Sequence, residues 1–322
     1  MANIITGRKL KIYLGKETTF GTKASSFVGF PITSFSGGIK KEYITSETKV
    51  NSRAKTGSFI GSIIGEGSID AEIYPDTVGY ILKGILGSET VALVSGATST
   101  YEHTFTFNND DIPSWTIQIN YGDVKVYNFL GTKFDELTIS AAPKEFIKMS
   151  GNLAFRDEEE EGSPESGSIN PTLNPLLTKQ IKLKIDGTDF GEAKSISLSI
   201  KNAINKDDYR LNQSDKITSL SPTTLEVSGS MEVLFNSAST TLRDKFLNGT
   251  PITLELIATS DEEVESGFNY SLTIKLNEVY IKDSPIDPAD DGMKLTCEFE
   301  AFIPDSGELI EVDLVNGKSD EH

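Results

Sequence analysis

The sequence predicts a mainly β fold, a tandem duplication of one β-sandwich or barrel domain with one short flanking α-helix per copy. Three observations predict it. Runs that alternate polar and apolar residues, the signature of strands with one wet and one buried face, greatly outnumber helical runs. Thr, Ser, Ile and Gly are abundant. A strand-plus-helix block also occurs twice. Its first copy, residues 66–87, reads EGSIDAEIYPDTVGYILKGILG: Glu66, Ser68, Asp70 and Glu72 alternate with Gly67, Ile69, Ala71 and Ile73. Pro75 closes that strand, Val78, Ile81, Leu82, Ile85 and Leu86 follow at helical spacing, and Gly87 stands at the C-cap. In the second copy Glu226, Ser228, Ser230 and Glu232 alternate with Val227, Met231 and Val233. Ser239 then caps a helix whose inward residues are Leu242, Phe246 and Leu247, stopped by Asn248 and Gly249.

The other elements follow in order. Residues 8–15 form a first strand, and residues 31–41 a second, weakened or bulged at Gly37 and Gly38. Residues 43–64 lack sustained periodicity and read as an extended hairpin arm carrying Lys49, Arg53 and Lys55. Strands are predicted over 101–107, 114–120, 124–129, 134–140 and 146–155. Residues 157–168 (DEEEEGSPESGS) mark a solvated acidic linker. The boundaries are 1–155 for the first domain, 156–178 for the flexible linker and 179–322 for a second, reduced domain. LKIYLG at 10–15 answers KLKIDG at 182–187, SFSGGIK at 34–40 answers SISLSIK at 195–201, and KMSGNLAF at 148–155 answers the strand from Lys294. The arm returns at 202–223 in another shape. Residues 270–276 resemble either the 101 strand or the 124 strand. The offset between copies shrinks toward the end, so the second copy has lost a stretch between helix and final strands.

The formal net charge is −18, unevenly placed. Residues 1–155 hold 15 Lys and Arg against 15 Asp and Glu, whereas 156–322 hold 15 against 33. Such a surface disfavours direct nucleic-acid binding, which sets Lys and Arg against phosphate. No signal peptide and no apolar run of membrane-spanning length is visible. The single Cys297 excludes an intramolecular disulfide and reads as a buried thiol in a strand.

Enzyme chemistry finds no foothold, and no cofactor or metal is expected. Of the two histidines, His103 lies in a strand, where a structural role is the expectation, and His322 is terminal. GEGS at 65–68 precedes a strand, not a helix, so it fails the phosphate-loop context. Residues 158–161 are consecutive carboxylates without a scaffold. DPADDG at 287–292 lacks the downstream Glu of a calcium loop and reads as a turn.

GKETTFGT at 15–22 followed by FPITSFS at 30–36, the block ending PDTVGYILKGILGS, and YEHTFTF leading to IPSWTIQI at 112–119 resemble phage tail tube proteins, the major tail proteins of long-tailed phages. The resemblance covers most of residues 9–155 and reaches the second half through its likeness to the first. It implies a structural virion protein, assembled in the host bacterial cytoplasm. Such a protein polymerises into stacked rings, with a β-sheet from each domain lining a channel through which double-stranded DNA passes without specific binding. It also implies tape measure and tail terminator proteins as partners, and a long loop reaching a neighbouring ring. A doubled chain in a six-fold family suggests a trimer imitating a hexamer; the alternative is a hexamer lined by 1–155 alone. On this reading Glu66, Ser68, Asp70, Glu72, Glu226, Ser228, Ser230 and Glu232 line the lumen, and Lys49, Arg53 and Lys55 belong to the inter-ring arm. An ordinary wet outer face is the alternative for the first set. The competing function is a secreted or surface two-domain adhesion or carbohydrate-binding module.

Overall fold

A computed structural model describes residues 6–169, 173–212, 214–288 and 292–322. In chain order its elements are β1 (Leu10–Lys16), β2 (Val28–Phe30), β3 (Ser34–Thr45), β4 (Ser58–Glu72), α1 (Val78–Leu86), β5 (Gly87–Leu93), β6 (Tyr101–Phe107), β7 (Trp115–Tyr121), β8 (Val126–Ala141), β9 (Lys148–Phe155) and β10 (Asp157–Glu161). The second half holds β11 (Ile181–Ile185), β12 (Thr188–Asp189), β13 (Ala193–Lys201), β14 (Glu226–Leu234), α2 (Thr240–Asn248), β15 (Ile252–Glu265), β16 (Phe268–Asp283), β17 (Ile286–Asp287), β18 (Lys294–Ala301) and β19 (Ile310–Asn316). The chain is mainly β and antiparallel, as its alternation predicts.

The two halves follow the same order of pairings. In the first, β3 pairs with β4, β4 with β9, and β9 with the second part of β8. The first part of β8 pairs with β7 and β10, and β7 with β1, which makes a second sheet. In the second half, β13, β14, β18 and the end of β16 repeat the first set, while β11, β15, the start of β16 and β19 repeat the second. The strand at 270–276 therefore takes the place of the one at 124–129. Strands expected separately over 124–129 and 134–140 are one long strand, β8. It bends from one sheet to the other at Gly131, whose φ of 65° suits glycine.

These registers shift one sequence match. Gly67, Ser68 and Asp70 occupy the positions of Gly229, Ser230 and Glu232, so Glu66 answers Ser228 and not Glu226. The glycines show why. A Cβ on Gly67 would press on the carbonyl of Ser36, and one on Gly229 on that of Ser197, so both let the neighbouring strand approach closely.

Both helices form where expected. Gly87 (φ 88°) and Gly249 (φ 60°) end them. Leu242 is buried, but Leu247 is 65% exposed and is not one of the inward residues. After α1 the chain makes the β5–β6 hairpin, for which α2 has no counterpart. The second half passes from its helix straight into β15, and β6 pairs with β19 of that half.

The acidic stretch differs from a free linker. Asp157–Glu161 is a strand, β10, on the edge of β8. Lys23, Asn128 and Lys125 meet its carboxylates, which is why the charges tolerate that edge. Farther on, Leu176 is fully buried, its amide donates to Ile73 O, and its carbonyl accepts from Ile147 N, both at 2.8 Å. One core joins Ile69, Phe105, Phe134 and Leu153 to Ile200, Val227, Met231 and Leu272. Cys297 lies within it, and burial pushes its thiol up to about 11. Ala289, Asp290 and Asp291 of the expected turn at 287–292 lie outside the described residues.

Candidate functional site

The decisive contact is a seam. Residues 136–141 of β8 pair antiparallel with residues 196–201 of β13, Glu136 opposite Lys201 and Leu137 opposite Ile200. The seam fuses the two four-stranded layers into one eight-stranded sheet in the order β3, β4, β9, β8, β13, β14, β18, then β16 with β17.

Because side chains alternate along a strand, the registers fix which residues share a face. One row runs Asp70, Ser150, Thr138, Ser199, Ser228, Glu300. The next runs Glu72, Lys148, Ser140, Ser197, Ser230, Glu298. Ser68 shares a row with Lys201 and Glu226, and Glu232 lies beside Thr296. The structure thus brings all eight sequence-predicted face residues onto one side of one sheet. Intervening Ile69, Ala71, Val227, Met231 and Val233 turn to the core.

The face is less bare of cations than the acidic pattern suggests. Lys40 pairs with Glu66, and Lys206 lies 3.4 Å from Glu66 and 2.8 Å from Asp135. The Lys40 hydrogen bond outweighs burial and holds the Glu66 carboxyl below its ordinary value. Lys294 lies 3.6 Å from Glu232, and Lys282 lies 3.0 Å from Glu300. Near the seam the surface is mostly hydroxyl: Ser199 Oγ donates to Glu136 Oε1 at 2.7 Å.

Lys49, Arg53 and Lys55 sit together on the exposed segment between β3 and β4. The strands stay paired to Thr45 opposite Ser58, so the segment is the end of a long hairpin. Its stem shows Tyr43, Ile44, Phe59 and Ile60 to solvent. The corresponding segment of the second half folds back on the root of this hairpin. Ile63 N donates to Asp215 O at 2.7 Å, and Tyr209 Oη donates to Ile63 O. At the opposite end of the sheet, an open groove of about 320 Å³ lies at the foot of the seam, lined among others by Ala141, Pro143, Ile181, Phe190 and Leu256.

Sequence reasoning missed one cluster. His103 and His322 each place Nδ1 on Glu89 Oε1, at 2.9 and 2.7 Å, with all three side chains buried. Burial alone would raise the Glu89 carboxyl; hydrogen bonds from both imidazoles outweigh it and hold it well below the usual carboxylate range. His103 Nε2 also meets Lys318 O at 2.9 Å, and Lys83 Nζ lies 3.7 Å from Glu89. Among the described residues this is the group whose ligand atoms converge as a metal site would require. Its carboxylate, however, is already shared by two imidazoles beside an ammonium, the arrangement of a closed structural network. No local pattern announces it, since His322 stands 233 residues from Glu89, and Glu89 meets His103 only once β5 and β6 pair. The carboxylates of Glu158, Glu160 and Glu161 point to separate partners.

Among the described residues no helix is long and apolar enough to cross a membrane. No curated protein matches the chain. A family model described as phage tail tube protein matches residues 7–301. The chain belongs to the phage tail tube protein family.

Proposed function

We propose that three copies of this structural tail protein join head to tail into a ring. Rings stack into a hollow virion tube, and the tube conducts double-stranded DNA to the host without binding it specifically. The observation that carries the reading is the eight-stranded sheet running unbroken through the β8–β13 seam. Closed on itself, a sheet of eight strands encloses a space that side chains fill. A duplex therefore needs several chains around it. Three would give about 24 strands and a backbone diameter of roughly 45–50 Å at ordinary strand spacing and tilt. The seam favours three chains over six, because β13 and β14 extend the sheet of the first half instead of decorating its back. A tandem duplication accounts for this geometry: each half supplies one wall segment.

The polar face then lines the lumen. Duplex DNA carries roughly one negative charge per 1.7 Å of axis, and bare lysines would hold it. A face of hydroxyls and carboxylates, with its lysines paired to carboxylates, leaves little to grip. The arm reaches the neighbouring ring, and the groove at the other end of the strands is open to receive it. Tape measure and terminator proteins fill and close such a tube, which assembles in the host bacterial cytoplasm.

The test is to concentrate the purified protein and examine it by negative-stain microscopy. Hollow tubes are expected. A variant lacking residues 46–57 should give rings that do not stack. Solitary wild-type particles at high concentration would contradict the proposal.

A further inference from the structure

We infer the register in which two copies meet: the outer border of β3 pairs antiparallel with the outer border of β16 and β17 of the next copy, Ile39 opposite Ser284 and Lys40 opposite Asp283. This rests on the ring reading above and deepens it.

The internal seam is the template. Three independent correspondences between the halves agree. The run Lys148–Phe155 matches Lys294–Ala301, and SFSGGIK at 34–40 matches SISLSIK at 195–201. The irregularity between Phe134 and Glu136 matches that between Ile281 and Asp283. Under this correspondence β3 stands for β13, and β16 with β17 stands for the seam part of β8. Ile39 and Lys40 then replace Ile200 and Lys201, and Ser284 and Asp283 replace Leu137 and Glu136. The seam sets Ile200 opposite Leu137 and Lys201 opposite Glu136. Transferred between copies, it again sets a lysine against a carboxylate.

The backbone agrees. Asn202 N donates across the seam to Asp135 O at 2.8 Å, so even-numbered residues of β13 aim their amides that way. Their counterparts in β3 are odd-numbered. Ile39 is one, and its amide is met by Glu158 Oε2 at 3.2 Å, not by a strand. On the other border Ser284 N donates to Asp283 Oδ1 at 2.8 Å, and its carbonyl accepts from Arg243. The outward amide of Ile39, and both the amide and the carbonyl of Ser284, are thus met by side chains of their own chain. Such covers protect an edge until a strand replaces them. Pro285 does not obstruct the contact. Its carbonyl accepts from Thr296 N at 3.2 Å, so its missing N–H falls on the β18 side. The register sets Gly38, without a side chain, opposite its ring.

Paired cysteines test this, with little background because Cys297 is buried. Lys40→Cys with Asp283→Cys, and Ser36→Cys with Asp287→Cys, are matched pairs. Lys40→Cys with Asp287→Cys, and Ser36→Cys with Asp283→Cys, are mismatched by four residues, beyond the reach of a disulfide. In oxidised tubes either matched pair should give a closed covalent trimer, with at least about tenfold more cross-linked chain than either mismatched pair. If one matched variant does not fold, the other carries the test. Tubes in which mismatched pairs bridge, or in which no folded matched pair does, overturn the register and leave the ring standing. Failure of the wild-type chain to form rings removes both.

Discussion

Gly229 shows how one residue fixes a sheet. Its missing Cβ admits the carbonyl of Ser197 and the ring of Phe299. Gly229→Ala should therefore cost about 1–3 kcal/mol by overpacking, read as a lowered denaturation midpoint. The buried Glu89 network makes a prediction in pH. Burial, working against the Glu89 contact, keeps His322 below its ordinary value near 6.5. The unfolded chain therefore takes up that proton more readily than the folded one, and stability falls as pH drops below about 6.5. Glu89, depressed in the fold, adds stability above the ordinary carboxylate range that is lost on further acidification. Thermal melts should decline from pH 7 to pH 5, and His322→Phe should flatten that decline. An unchanged slope in the variant would refute the assignment. Nothing in the sequence marks this cluster, because burial and convergence are properties of the fold. His103 alone was legible, as a structural strand histidine.

At the scale of elements, the helices tell inward from outward. Leu242→Ala in α2 should cost about 2–4 kcal/mol, whereas Leu247→Ala should stay within about 0.5, as denaturant unfolding can check. The β5–β6 hairpin clasps the second half at its tip. Glu265 accepts from Thr98 N at 2.7 Å and from Thr100 Oγ1 at 2.9 Å. Glu265→Ala should speed hydrogen exchange at residues 97–100 while leaving β7 protected. Most strands and both helices were legible because periods of 2 and 3.6 are local. β10 was not, since five acidic residues carry no alternation and only tertiary partners, among them Lys23, Lys125, Asn128 and Lys216, make the strand tolerable. The match of Glu66 to Glu226 slipped by two for a related reason. Alternating Glu and Ser repeat every second residue, so a two-residue shift keeps every side chain on its face. Only pairing with β9 and β18 selects the register.

Across the whole molecule, two like halves are welded at β8 and β13 and end in borders at β3 and at β16 with β17 that side chains of the same chain cover. In the proposed register each copy extends the next by the contact it already makes within itself, and a heterologous contact of that kind closes into a ring when the rotation fits. The seam was not legible, because a sequence lists strands but not their neighbours across 60 residues. The recurring polar face was legible, and its function can be tested in the particle. Asp70→Lys with Glu298→Lys should slow DNA ejection while tubes still assemble, and unchanged ejection would count against a lumen-facing surface. The most direct measurement is a cryo-electron microscopy map of tubes assembled from the purified chain. The account predicts three chains per ring, with Asp70, Ser228 and Glu300 facing the channel across an unbroken inner sheet. Six chains per ring, or that face turned to the outside, would contradict it.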